Sequence, residues 1–401
     1  MKILVLTPRF PFPPIGGDKT HIYFILKYLS KRYEVSLLSF SETAVRQDIV
    51  DKYRDCFDDI DVIILPKINS YMKCIFNFIQ KKPLQISYYQ SSKMKKLIEK
   101  KISNGRFDLI FVHLIRMAEY VKDIPIPKIL DMGDAQSLNY IRAMAYTTGK
   151  WSIIHRFEKE LVRQYEKRIW KYFNKTLVVS PIDARYLRAL DKDINVEVMP
   201  IGFDLEKLPF RLNNHSNKKI CFIGNMRTFP NTDAVCWFCN EILPLIRKRI
   251  PDIEFYIVGA EPSRRVRQLS KIKNVIVTGK VDDIAKYVYD ASVTVAPMRV
   301  GAGIQTKIYE SMALGTPVVS TSIGLEGLEC IPGRDIVIAD MPINFADKVI
   351  ELLENITLRT EISKNARRAV EEKYDYEKLL MKLDSIIQEI ATNFQNLDRC
   401  K

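Results

Sequence analysis

The chain has 401 residues, 47% of them hydrophobic and 27% charged, which excludes a disordered or low-complexity protein and supplies apolar surface for more than one core. Its longest apolar runs, such as Ile3–Leu6 and Val62–Leu65, have the length of strands and fall far short of the roughly 20 residues of a membrane span. "MKILVLTPRFPFPP" lacks the pattern of a secretory leader, so a cytoplasmic location is expected. The net charge of +14 is uneven: residues 1–200 hold 34 Lys and Arg against 22 Asp and Glu, and residues 201–401 hold 28 against 26.

In chain order, strands are predicted at Lys2–Thr7, Glu34–Phe40, Asp61–Leu65, Asp108–His113, Lys128–Met132, Lys175–Ser180 and Glu197–Pro200. A second series is predicted at Lys218–Gly224, Glu254–Gly259, Asn274–Gly279, Ser292–Pro297, Thr316–Ser320 and Asp335–Ala339. Amphipathic helical stretches separate them, so the expected fold class is α/β, with two doubly wound, Rossmann-like domains. The Pro- and Asn-rich "PIGFDLEKLPFRLNNHSNKK", Pro200–Lys219, marks the junction. It divides a first domain, 1–205, from a second that begins at 206.

The basicity of the first half concentrates in "KKPLQISYYQSSKMKKLIEKKISNGR", residues 81–106, with seven Lys and one Arg against one Glu. It follows the apolar "CIFNFI" at Cys74–Ile79. Basic and apolar surface side by side suits an anionic membrane face. Nucleic acid is the rival partner, and a solvated helix face needs no partner at all.

Seven cysteines show no framework spacing and read as reduced thiols. The CxxC of Cys236 and Cys239 sits in "NTDAVCWFCNEILPLI", whose apolar positions recur at helical spacing, and no second Cys or His pair completes a zinc site. The packing of a helix explains it. The acidic "DDID", Asp58–Asp61, precedes a strand on the side away from ligands and is read as solvated turn, so no metal site is expected.

Ligands of open parallel sheets bind beyond the carboxyl ends of the strands, and the unusual residues of this chain gather there. Gly16 and Gly17 follow the first strand, His113 ends "FDLIFVH", Gly224 ends "KICFIG", and Gly301, Ala302 and Gly303 follow "VTVAP". The glycine loops of the two domains are expected to face a shared ligand cleft. Neither loop has the GxGxxG of a dinucleotide site.

The most informative stretch is "APMRVGAGIQTKIYESMALGTPVVS", Ala296–Ser320. Its helix body, Gln305–Leu314, is stopped by Gly315 and Pro317. Ile304, Ile308 and Met312 recur every four residues and should face the sheet, while Gly303, Lys307, Glu310 and Leu314 share a second face. A ligand at this helix start would meet free backbone N–H groups, a cation and a carboxylate, a combination suited to a phosphate joined to a sugar. An ordinary i,i+3 ion pair over a glycine turn would use the same residues. Arg299 before the loop and Arg227 after Gly224 are further cations for a diphosphate. His113 could donate to a sugar hydroxyl or a phosphate oxygen. His21 could do so or simply pack in the first helix, and Asp131 and Asp134 of "LDMGDAQS" could contact an acceptor or build a turn and helix cap.

Four segments carry a family resemblance: "PFPPIGGDKTHIYFILKYLSKRYEVSLLSF", "FIGNMRTFPNTDAVCWFCNEILP", "VTGKVDDIAKYVYDASVTVAPMRVGAGIQTKIYESMALGTPVVSTSIGLEG" and "YDYEKLL". They resemble the retaining glycosyltransferases of family 4, in particular bacterial sugar transferases of capsule, O-antigen and exopolysaccharide synthesis. The resemblance implies a B-type fold: an N-terminal acceptor domain, a nucleotide-sugar domain over 206–375, and a last segment, 376–401, whose helix at about Tyr376–Asn393 crosses back to the first domain. It also implies a metal-independent reaction without a cofactor. Glu310 falls where the family binds the ribose hydroxyls, and backbone around Val281, Asp282 and Asp283 falls where it meets the base. Gly16 and Gly17 would approach the diphosphate.

The sequence departs from the family's pattern twice. The first of two family glutamates falls at Ala302. The Arg and Lys that often follow the first strand of the second domain fall at about Asn225 and Asn231, so Arg299, Lys307 and Arg227 are the substitutes.

The expected function is transfer of a sugar from a nucleotide diphosphate donor to a glycan or lipid-linked acceptor at the inner face of the cell membrane, with no nucleic-acid partner. Arg299, Lys307 and His113 are the expected catalytic groups. Gly16, Gly17, Gly224, Arg227, Val281, Asp282, Gly301, Ala302, Gly303, Ile304, Gln305 and Glu310 form the expected donor site, and His21, Asp131 and Asp134 the acceptor site. A nucleotide-sugar epimerase, a phosphorylase and a non-catalytic module for anionic polymer or membrane are the alternatives.

Overall fold

The computed structural model describes residues 1–14, 17–54, 56–144, 150–301 and 303–399. The chain forms two compact units, Met1–Gly202 together with Tyr376–Lys401, and Phe203–Asp375.

The first unit is built on seven parallel strands: β1 (Lys2–Thr7), β2 (Glu34–Ser41), β3 (Asp59–Ile64), β4 (Leu109–His113), β5 (Lys128–Asp131), β6 (Lys175–Val178) and β7 (Val196–Val198). Their order is β3-β2-β1-β4-β5-β6-β7. Alternation along each strand divides its apolar residues between two cores. Leu4, Leu6, Leu38, Ile110, Val112 and Leu130 face one way; Ile3, Val5, Val35, Leu37, Phe111 and Ile129 face the other. Both faces are covered, so central strands such as β1 and β4 read as unbroken apolar runs instead of alternating ones. The second face is closed by the final helix, Tyr376–Arg399, through the buried Leu380, Leu383 and Ile387.

The strand boundaries differ from expectation at one informative place. β3 begins at Asp59, so Asp59 and Asp61 of "DDID" lie in the strand and only Asp58 stands before it. Lys101 holds both Asp59 and Asp61, the latter at 2.7 Å. This ion-paired strand start replaces the solvated turn.

The second unit carries six parallel strands: β8 (Lys219–Ile223), β9 (Glu254–Val258), β10 (Val275–Gly279), β11 (Val293–Ala296), β12 (Val318–Ser320) and β13 (Val337–Ile338), in the order β10-β9-β8-β11-β12-β13. Cys236 and Cys239 are buried in its core, on a helix Phe229–Trp237 that runs on into a turn of wider helix at Phe238–Ile242. The glycine-loop helix spans Thr306–Leu314, with Gln305 at its N-cap and Gly315 ending it in the left-handed conformation at φ 96°. Ile308 and Met312 are fully buried against the sheet, and Ile304 packs beside them. No helix among the described residues is long and apolar enough to cross a membrane.

Candidate active site

In the second unit the candidate residues converge on the start of the helix Thr306–Leu314. Gln305 makes no side-chain cap; the N–H groups of Thr306 and Ile308 turn onto the Ile304 and Gln305 carbonyls at 3.2 and 3.0 Å, which leaves the Lys307 N–H without a partner among the described residues and open to a ligand. Gly303 adopts φ 77°, a left-handed conformation that lets the chain turn from β11 into the helix. Gly301 lies close to Gln305, whose Nε2 donates to the Gly303 carbonyl at 3.3 Å.

Lys307 does not pair with Glu310. Its ammonium donates to Asn231 Oδ1 at 2.7 Å and to Gln305 Oε1 at 2.9 Å, and it stands 5.1 Å from the centroid of the Phe222 ring. Asn231 is buried and is itself fixed by donating to the Asn225 carbonyl at 2.8 Å. Gly224 makes this convergence possible, because a Cβ there would come within 2.8 Å of Asn231 Nδ2 and 3.3 Å of Lys307 Cε. Two neutral amide acceptors hold the cation without cancelling its charge. Burial pushes the Lys307 ammonium down to about 8, against an opposing pull from Glu310.

Glu310 is half-buried one turn further along, on the same face. Burial pushes its carboxyl up, with Lys307 opposing. The carboxylate has no hydrogen-bond partner or ion pair among the described residues. A desolvated acceptor left open is a costly feature in a folded chain and a suitable one for a ligand hydroxyl.

Arg299 is committed elsewhere. Its Nε and Nη2 clasp Asp233 at 3.0 and 2.6 Å, and its guanidinium lies 5.4 Å from the Trp237 ring centroid. It can still donate through Nη1, but Asp233 cancels most of its net charge, so Lys307 is the stronger cation of the two. Arg227 is largely exposed and reaches Glu261 at 3.5 Å. Val281 is half-buried and Asp282 exposed in the turn after β10, where Asp283 caps the helix Ile284–Asp290. Ala302 lies outside the described residues.

In the first unit, three separately chosen residues meet. His113 and Asp131 end the neighbouring strands β4 and β5 and are register partners, which aims their side chains the same way. Nδ1 of His113 lies 2.7 Å from Asp131 Oδ2. His21, on the helix Gly17–Leu29, brings Nε2 to 3.2 Å from the same oxygen. That approach is an electrostatic contact whose geometry falls short of a hydrogen bond. All three side chains are buried. Burial raises the Asp131 carboxyl, but the two imidazoles outweigh it and hold the group well below its ordinary value. The other Asp131 oxygen accepts the Gly133 N–H at 3.1 Å. Asp134 stands apart: burial, reinforced by Asp183, pushes it up to about 6. Gly17 opens its helix, and Gly16 lies outside the described residues.

The residues missed by sequence reasoning are Asn231, Asn225 and Asp233. A signal for Asn225 and Asn231 was present, since both stand at about the positions where the resemblance leads one to expect cations.

Two parallel α/β units of seven and six strands with these helix starts define the B-type glycosyltransferase fold. Residues 217–355, within the second unit, match the family described as Glycosyl transferases group 1. Over 406 residues the chain is 25% identical to the "Uncharacterized 44.6 kDa protein in cps region" of Klebsiella pneumoniae, covering 94% of this chain and 97% of that one. It is similar in structure to the sucrose-phosphate synthase of Thermosynechococcus elongatus, with TM-score 0.71 and 16% identity over 98% of this chain and 99% of that one. It is likewise similar to HepE of Anabaena, solved in complex with UDP and glucose, with TM-score 0.66 and 13% identity over 97% and 99% of the two chains.

Proposed function

We propose that this protein is a retaining, metal-independent glycosyltransferase of family 4. It moves a sugar from a nucleotide diphosphate donor to a glycan or lipid-linked acceptor in the synthesis of a bacterial surface polysaccharide. The observation that carries this reading is the placing of half-buried Lys307 and Glu310 on one helix face without pairing to each other: an uncancelled cation beside a helix start that has no side-chain cap, and one turn away a carboxylate with no partner among the described residues. A diphosphate fits the first and ribose hydroxyls the second. The cps-region relative and the UDP-bound neighbour agree with that donor and that role.

Bond cleavage builds negative charge on the leaving diphosphate, and Lys307 is placed to meet it, with Arg299 donating through Nη1 and the backbone N–H of Lys307 at the helix start adding to the field. Retention follows if the acceptor attacks from the face the diphosphate leaves, its proton passing to a phosphate oxygen. In the first unit Asp131 holds the His113 ring, whose Nε2 has no partner among the described residues and is the group available to an acceptor or donor hydroxyl. The basic first unit attaches the protein peripherally to the inner, anionic face of the membrane.

Purified protein incubated with a panel of nucleotide sugars tests this reading. Release of a nucleoside diphosphate and a product whose anomeric configuration matches the donor's by NMR are expected. An inverted product, or isomerised donor without transfer, contradicts it.

A further inference from the structure

The helix Lys67–Ile79 is folded inside out. Its polar residues Ser70, Lys73 and Asn77, at i, i+3 and i+7, form the inward face: Ser70 and Asn77 are buried, Lys73 donates to the Gln90 carbonyl at 2.6 Å, and Asn77 Nδ2 donates to Gln90 Oε1 at 2.9 Å. Its apolar residues Ile68, Tyr71, Met72, Ile75 and Phe76, at i, i+3, i+4, i+7 and i+8, form the outward face and are between 61% and 79% exposed. Ile64 at the end of β3 is exposed as well. A soluble helix places its apolar stripe on the core, and an outward stripe of five large residues marks a surface that is covered in use.

Charge says what covers it. Residues 67–106 contain nine Lys and one Arg against the single Glu99. Immediately after the helix, Lys81 and Lys82 open onto a cavity of about 250 Å³ that Lys122 and Arg168 also line. One carboxylate, Glu119, faces it and is paired with Lys122 at 3.2 Å. Tyr172, half-exposed, stands at the same cavity. Lys81 and Lys82 have no acidic partner among the described residues. A protein partner for the stripe would not need the cations of Lys81, Lys82 and Arg168 beyond the paired Lys122 at its end; an anionic bilayer supplies acyl chains for the stripe and phosphates for the cations.

We propose that Lys67–Ile79 lies in the plane of an anionic phospholipid surface, its Ile68, Tyr71, Met72, Ile75 and Phe76 among the acyl chains, while the cavity of Lys81, Lys82, Lys122 and Arg168 holds a lipid phosphate headgroup. This rests on the peripheral attachment proposed above and assigns it to one helix and one pocket.

The test is co-sedimentation of the full chain with vesicles of phosphatidylcholine alone and of phosphatidylcholine mixed with phosphatidylglycerol. Wild-type protein binds the mixed vesicles. I75S/F76S, which leaves the net charge unchanged, loses roughly tenfold or more in partition. K81Q/K82Q narrows the preference for the mixed vesicles over phosphatidylcholine alone. Both variants keep wild-type thermal unfolding and nucleotide binding, so failure here is separable from failure of the donor site. Equal binding by I75S/F76S and wild type overturns the inserted helix while leaving attachment by charge alone. An association between copies that I75S/F76S abolishes, with no vesicle binding by wild type, overturns the lipid partner in favour of a second copy.

Discussion

Lys307 donates to the neutral amide of Asn231 at 2.7 Å, 76 residues away in sequence, and leaves Glu310 on its own helix unpaired among the described residues. This relationship turns an i,i+3 Lys-Glu spacing, which usually means a surface ion pair, into a cation and an acceptor that both remain free to serve a ligand. Asn231→Asp should cancel the charge and weaken binding of a nucleoside diphosphate by roughly tenfold. Isothermal titration calorimetry reads the change, and equal affinity removes the role given to the neutral amide.

Lys307→Gln keeps a polar side chain of similar reach and deletes the cation. Each charge-assisted hydrogen bond contributes about 1.5–3 kcal/mol, so transfer should fall roughly 10- to 150-fold. Thermal unfolding should not fall with it, because burial of that ammonium is itself costly.

The pH dependence has a definite sign. Lys307 titrates at about 8 in the free protein, below its ordinary value, so it is charged at lower pH and loses its proton as pH rises through that point. A bound diphosphate favours the charged form, and diphosphate affinity should therefore decline above about 8, by at most about tenfold per pH unit. Calorimetry in buffers of different ionisation enthalpy should show proton uptake on binding near pH 9 in wild type and none in Lys307→Gln.

Glu310→Gln should weaken binding of a nucleoside diphosphate by about tenfold. The loss should be confined to ligands with ribose hydroxyls. If the 2′,3′-dideoxy analogue loses as much affinity as the parent nucleotide, Glu310 does not read the ribose.

Asp131→Asn removes the charge on which His21 and His113 converge inside the first unit. Breaking a buried, paired charge costs roughly 3–5 kcal/mol, a fall in Tm of about 6–20 °C for a unit of this size. A shift under about 2 °C by calorimetry would show that the imidazoles do not depend on that carboxylate.

The strands were legible because both faces of each sheet are covered, so strands such as β1, β4 and β8 carry short apolar runs, ILVL, LIFV and ICFI, between polar or turn-forming residues. The face shared by Lys307 and Glu310 was legible from helical spacing alone. What spacing does not show is a partner from another element. Asn231 reaches Lys307, and Asp233 reaches Arg299, only because β8 and β11 are neighbours in the sheet. The His113–Asp131 pair was within reach, since both residues close consecutive strands whose register aligns their ends. For Lys67–Ile79 the periodicity resolves two faces but is silent about which one meets the core. There Gln90, with its carbonyl and amide acceptors, draws the polar face inward.

The most direct measurement of the central claim is phosphorus-31 NMR of nucleoside diphosphate release, with wild type and Lys307→Gln each incubated with a panel of nucleotide sugars. At least one donor should release its diphosphate with wild type, and at least about tenfold more slowly with the variant. Release at the same rate by both proteins would contradict the assignment of the leaving diphosphate to the Lys307 helix, as would no release from any donor.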